Sequence, residues 1–127
     1  MAVLAASPLE QAGGMLVEAG ARGLYRVLLV HHPVARGVVS GRKALTDRDA
    51  LQAMLGTSGA ELILHGHAHE ALLTGVPGPR GTIPAMGVPS ASTPTGLHDE
   101  AARWNEIEIL RDGAGFRTRI TARGVTG

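Results

Sequence analysis

The chain has 127 residues, enough for one domain and no second independent core. Its 44% apolar content supports a buried core, while the only aromatic residues, Tyr25, Trp104 and Phe116, are too few for a platform that stacks single-stranded nucleic acid. Twelve basic residues against eleven acidic ones leave a formal charge of +1 with no block of like charge, which argues against a polyanionic partner, and the lack of cysteine excludes disulfides, iron–sulfur clusters, Cys-type zinc sites and a thiol nucleophile.

Along the chain, Met1 to Ala6 lacks a basic stretch and a full apolar run, so no signal peptide is expected. Ser7-Pro8-Leu9-Glu10 reads as a helix start, with a Ser cap, Pro at the first helical position and Glu three residues after the cap. The helix it predicts covers 8–20, with Leu9, Ala12, Leu16 and Ala19 at helical spacing and Gly13 and Gly14 weakening it. Residues 25–30 predict a strand buried on both faces, as in a parallel sheet. Its aliphatic part, Val27 to Val30, is too short to span a bilayer. A basic loop is expected over 34–45. Thr46-Asp47-Arg48-Asp49 then repeats a cap signature and predicts a short helix to Leu55, stopped by Gly56. Glu61 to Leu64 predicts a second short strand, so helix, strand, helix, strand implies an α/β fold with a parallel pair.

Beyond residue 70 the pattern changes. Residues 71–74 and 82–88 flank Pro77-Gly78-Pro79-Arg80-Gly81 and suggest a hairpin. Trp104 to Leu110 and Phe116 to Arg123 alternate around Asp112-Gly113, which predicts a second hairpin with one polar face. Residues 89–101 read as loop. Trp104, Phe116 and the aliphatic strands are the expected core. A soluble cytoplasmic domain, with no membrane and no nucleic-acid polymer as partner, is the expected class.

The histidines fall at 31, 32, 65, 67, 69 and 98, and two of their clusters directly follow a predicted buried strand. In open α/β sheets, ligands bind in the crevice beyond the carboxyl ends of the strands. Residues two apart in an extended segment point to the same side, about 7 Å apart, so His67 and His69 can aim both rings at one metal or at two neighbouring ones. Were the strands ending at Val30 and Leu64 sheet neighbours, His31 would arrive at the same rim. Neutral imidazole is a common ligand for Zn, Mn and Fe ions. His65 is in phase with His67 and His69, which leaves a third ligand or a hydrogen-bonded structural role. His32 and His98 read as loop residues, and Arg36, Arg42 and Lys43 as a solvated basic loop within reach of a phosphate.

Four stretches together resemble the calcineurin-like metallophosphoesterases, in particular their bacterial branch related to class III cyclic-nucleotide phosphodiesterases. They are Val27-Leu28-Leu29-Val30-His31-His32-Pro33, Gly41-Arg42-Lys43-Ala44-Leu45-Thr46-Asp47, Leu62-Ile63-Leu64-His65-Gly66-His67-Ala68-His69, and Ile83-Pro84 through Gly87-Val88-Pro89-Ser90-Ala91-Ser92. The resemblance implies that 1–127 form a single partial domain, the C-terminal half of an α/β/β/α sandwich. It also implies a phosphoester hydrolase with two divalent ions (Mn, Fe or Zn), in which His31 and His67 serve one ion and His69 the other. Such a centre activates water and neutralises the charge that develops at phosphorus. The expected substrate is a small phosphoester, whether diester or monoester.

The family's three earlier motifs, Asp-x-His, Gly-Asp-x-x-Asp and Gly-Asn-His-Asp/Glu, are not in these residues: Asp occurs only at 47, 49, 99 and 112, and the single Asn, Asn105, precedes Glu106. Without the carboxylates, hard divalent ions lose most of the charge that holds them, so weak or partial metal binding and little hydrolysis are expected of this chain alone. The sequence then reads as a fragment of a larger enzyme, with self-association through an exposed sheet edge. Two further readings stand beside it. His65-x-His67-x-His69 loosely echoes the His-x-His-x-Asp-His run of metallo-β-lactamase-like hydrolases, and a non-catalytic relic or interaction module with a weak His-only site would carry the same residues.

Overall fold

The computed structural model describes residues 7–30, 42–66, 72–87 and 103–124. Among these, the elements run α1 (Pro8–Ala21), β1 (Val27–Val30), α2 (Arg42–Ser58), β2 (Leu62–His65), β3 (Leu72–Gly78), β4 (Gly81–Gly87), β5 (Arg103–Asp112) and β6 (Gly115–Gly124). The order is that of an α/β protein. Strands β1, β2, β4 and β3 lie in that order in one mixed sheet, and β5 pairs with β6 in a separate hairpin. β1, β2 and β4 are mutually parallel, and β3 returns antiparallel to β4. The expected parallel pair and both expected hairpins are therefore present.

The start of α1 follows its sequence signal: Ser7 caps the helix by accepting from the Glu10 backbone N–H at 3.2 Å, and Pro8 occupies the first turn. Gly13 does not interrupt the helix. It sits where α1 meets α2, and an added Cβ would lie 3.1 Å from Met54 Cγ, so the absence of a side chain lets the two helices approach. Helix α2 is longer than expected at both ends. It begins at Arg42, inside the expected loop, and it runs through Gly56 to Ser58. Gly59, at a φ of +77°, ends it in the left-handed conformation that glycine adopts most readily.

Both helices pack on one face of the sheet. Leu16 of α1 and Leu55 of α2 meet Ile63, Val76, Ile83 and Ala85 in the core, with Leu28, Val30, Leu51 and Met54 at its border. Strand β1 alternates between that core and the outside, so the expectation that it is buried on both faces fails: Leu29 is 73% exposed and Val27 is exposed as well. The cause is its place at the sheet edge, with the helices on the other side. Register lines up Leu29, Leu64, Met86 and Leu73 in a row across the four strands of that outer face. The row is open at both ends, where Leu73 is 70% exposed.

The hairpin has the expected polar face, on which Glu108 pairs with Arg119 and Asp112 with Arg117 at 3.3 Å, and Glu106 with Arg123 at 3.6 Å. Pairs this exposed are worth about 0–1 kcal/mol each. Trp104 stands on this same face opposite Arg123 and is 58% exposed, so it is not a core residue as expected. Tyr25, just before β1, joins the hairpin to the rest: its hydroxyl is 2.8 Å from Thr118 Oγ1 and its ring meets Phe116 edge-on at 5.2 Å. Arg111 lies 4.8 Å over the Phe116 ring and donates to the Gly23 carbonyl. Among the described residues, no helix is long and apolar enough to cross a membrane.

Candidate functional site

The carboxyl ends of β1, β2 and β4 finish level with one another. Val30 is in register with His65, and His65 with Gly87. The chain therefore runs into His31 from the residue beside His65, and into His67 through Gly66 on the neighbouring strand. This parallel adjacency is the condition on which a shared rim depended. His31, His67 and His69 themselves lie outside the described residues, as do His32, His98, Arg36 and the loop expected over 89–101. Arg42 and Lys43 belong to the first turn of α2 rather than to a loop.

His65 is described, and it is unusual. It is 4% exposed, and neither Nδ1 nor Nε2 has a hydrogen-bond partner among the described residues. The hydrogen-bonded structural role expected of it is therefore not what those residues provide. Burial pushes its imidazole below the ordinary value of 6.5, against a weaker opposing pull from the Gly66 backbone, whose geometry falls short of a hydrogen bond. Burial thus favours the uncharged ring. It lies flat against β4, where a Cβ on Gly87 would stand 2.5 Å from Cε1 and 2.9 Å from Nδ1. Glycine at 87 is what allows an imidazole at 65.

A second buried polar residue lies on α2. Arg48 is 6% exposed, and its Nε has no hydrogen-bond partner among the described residues. Sequence reasoning missed it, because Thr46-Asp47-Arg48-Asp49 looks like a helix start and a first-turn arginine would be solvated. The available signal was its spacing: 48, 51 and 55 fall on one helical stripe, and Leu51 and Leu55 are core-facing.

The opposite end of the sheet holds a cavity of about 810 Å³, lined by Tyr25, Arg26, Glu61, Arg80, Phe116 and Thr118 among others. Its floor is already satisfied. Arg26 Nε and Nη2 donate to the two carboxylate oxygens of Glu61 at 2.9 and 3.0 Å, and Nη1 donates to the carbonyls of Leu16 and Ser58. The Arg26 backbone N–H donates to Glu61 Oε2 at 2.6 Å as well. This network ties the interior of α1 and the end of α2 to the residues that precede β1 and β2. Among the described residues, the buried side-chain nitrogens without a hydrogen-bond partner belong to Arg48 and to His65, the latter at the carboxyl end of β2, where α/β sheets bind ligands. The chain matches no protein-family model, no curated protein and no solved structure.

Proposed function

We propose that this chain supplies the histidine side of a metal-dependent phosphoester hydrolase site of the calcineurin-like kind, with His31 and His67 toward one divalent ion and His69 toward a second. The observation that carries the reading is the parallel pairing of β1 with β2, Val30 opposite His65, from which both histidine segments continue. The donor chemistry fits a borderline metal such as Zn, Fe or Mn, because imidazole nitrogen suits these ions. A bound ion pair would supply activated water and charge neutralisation at phosphorus. The carboxylates that complete such a centre would come from polypeptide other than these 127 residues. The apolar row Leu29, Leu64, Met86 and Leu73 supports the same reading, since it is the face on which the second sheet of an α/β/β/α sandwich would pack. The β1 edge, Val27 to Val30, which pairs with β2 alone among the described strands, is where a further strand or a second copy would add.

Equilibrium dialysis against Mn²⁺ or Zn²⁺ tests the assignment. His67→Ala and His69→Ala are each expected to lower the amount of metal bound, with His98→Ala as the unaffected control. Metal uptake indifferent to both substitutions would show the assignment to be wrong.

A further inference from the structure

We propose that the cavity at the amino ends of β1, β2 and β4 is a binding site for a small organic carboxylate with an apolar or aromatic body, its charged group held by Arg80. The cavity measures about 810 Å³, within the roughly 300–1,000 Å³ of small-molecule sites. Four parts of the chain wall it: the end of α1, the end of α2 with the turn into β2, the β3–β4 turn, and the tip of the β5–β6 hairpin. The hairpin is held there by polar and ring contacts. The Tyr25 hydroxyl meets Thr118, the Tyr25 ring meets Phe116 edge-on, and Arg111 donates to the Gly23 carbonyl. The tip therefore closes one side of the cavity without filling it.

The walls select the body of the ligand. Val17 and Leu24 line the cavity and are 53% and 44% exposed, so apolar surface that the core leaves uncovered borders a concave space. Tyr25 and Phe116 add aromatic surface to the same lining. An apolar group seated among these side chains leaves water together with them, which is the main favourable term in such binding.

The charges select its head group. Among the described residues, Arg26, Glu61 and Arg80 are the charged members of the lining. Arg26 and Glu61 neutralise each other through the two guanidinium–carboxylate bonds of 2.9 and 3.0 Å. Arg80, on the turn between β3 and β4, has no hydrogen-bond or ion-pair partner among the described residues. The lining thus carries one uncompensated positive charge. A singly charged anion matches it, whereas a dianion such as phosphate would bring excess negative charge into a space that already holds Glu61. A guanidinium takes a carboxylate through two parallel N–H···O bonds. The cavity also offers a neutral donor. The Tyr25 and Thr118 hydroxyls carry two protons, and the hydrogen bond between them uses one, which leaves the other for a ligand oxygen.

The test titrates the whole ¹⁵N-labelled chain with phenylbutyrate and, separately, with its neutral amide, phenylbutyramide. The carboxylate is expected to shift the amide signals of Gly23, Gly59, Gly81 and Ala114, which line the cavity, in a saturable way. It is expected to bind about tenfold tighter than the amide. Arg80→Gln is expected to remove that difference by weakening the carboxylate alone, with the melting temperature unchanged because Arg80 is exposed on a turn. Leu24→Trp, which occupies the apolar wall, is expected to weaken both probes roughly fivefold or more, and Arg117→Gln, outside the lining, to change neither. Each of the following would overturn the proposal: no saturable shift at these amides, an amide bound as tightly as the carboxylate, a difference that survives Arg80→Gln, binding indifferent to Leu24→Trp, or unfolding of Arg80→Gln, which would make the guanidinium a structural group. The cavity lies at the opposite end of the sheet from the histidine segments, so none of these results bears on the metal assignment, which the dialysis experiment judges separately.

Discussion

Glu61→Ala is expected to destabilise the fold by about 2–4 kcal/mol, read from urea unfolding midpoints. The substitution strips Arg26 of three of its hydrogen bonds, one from the backbone and two from the side chain, and leaves a largely buried cation. Removing one partner of such a pair costs more than the pair contributes, because the remaining charge stays buried. A double replacement of Arg26 and Glu61 by apolar residues will not restore full stability, since Nη1 also serves the carbonyls of Leu16 and Ser58. The pH dependence has a definite sign. Burial alone would raise the Glu61 pKa, but hydrogen bonds from the Arg26 side chain and backbone, with its charge, hold the carboxyl below its ordinary value of 4.5. A depressed carboxylate contributes stability that is complete above the unfolded value and lost as pH falls through the folded one. The difference between the parent chain and Glu61→Ala is therefore expected to shrink as pH falls from roughly 5 toward 3.

Gly87→Ala is expected to have the second large effect, about 1–3 kcal/mol, because it overpacks the strand end. The added methyl would overlap the His65 ring, and Gly87 is held in the middle of the described sheet by β2 on one side and β3 on the other. The imidazole is then the group that gives way. Its nuclear magnetic resonance signals are expected to move toward those of a solvated histidine. An unchanged His65 environment in Gly87→Ala would mean that the ring does not lie against β4.

Local chemistry explains which parts of this fold the sequence reveals. Ser7, Pro8 and Glu10 announce α1 because a cap is written in adjacent residues. Asp112-Gly113 does the same for the β5–β6 turn, where Gly113 takes a φ of +62°. The parallel β1–β2 pair follows from the order of elements. What fails depends on distant context. Thr46 and Asp49 imitate a helix start in the interior of α2, since a helix that begins four residues earlier carries no stronger signal than theirs. Val27 and Leu29 read as buried because composition cannot say which strand lies at the edge. Trp104 falls on the charged face through pairing parity alone, which the turn sets and hydrophobicity does not. The strand ends that precede the histidine segments are legible because the apolar runs stop there, at Val30 and beside Leu64. Gly87 is not, since it matters only through His65, a partner far away in the chain.

The central claim is that a divalent ion seats at the carboxyl ends of β1 and β2, and substoichiometric Mn²⁺ added to the ¹⁵N-labelled chain tests it most directly. Paramagnetic broadening is predicted to erase the amide signals of Val30, Gly66 and Gly87 first, while Arg26, Gly59 and Glu61 at the far end stay sharp. Broadening that spares Val30 and Gly66, or that begins around Glu61 in the cavity, would contradict it.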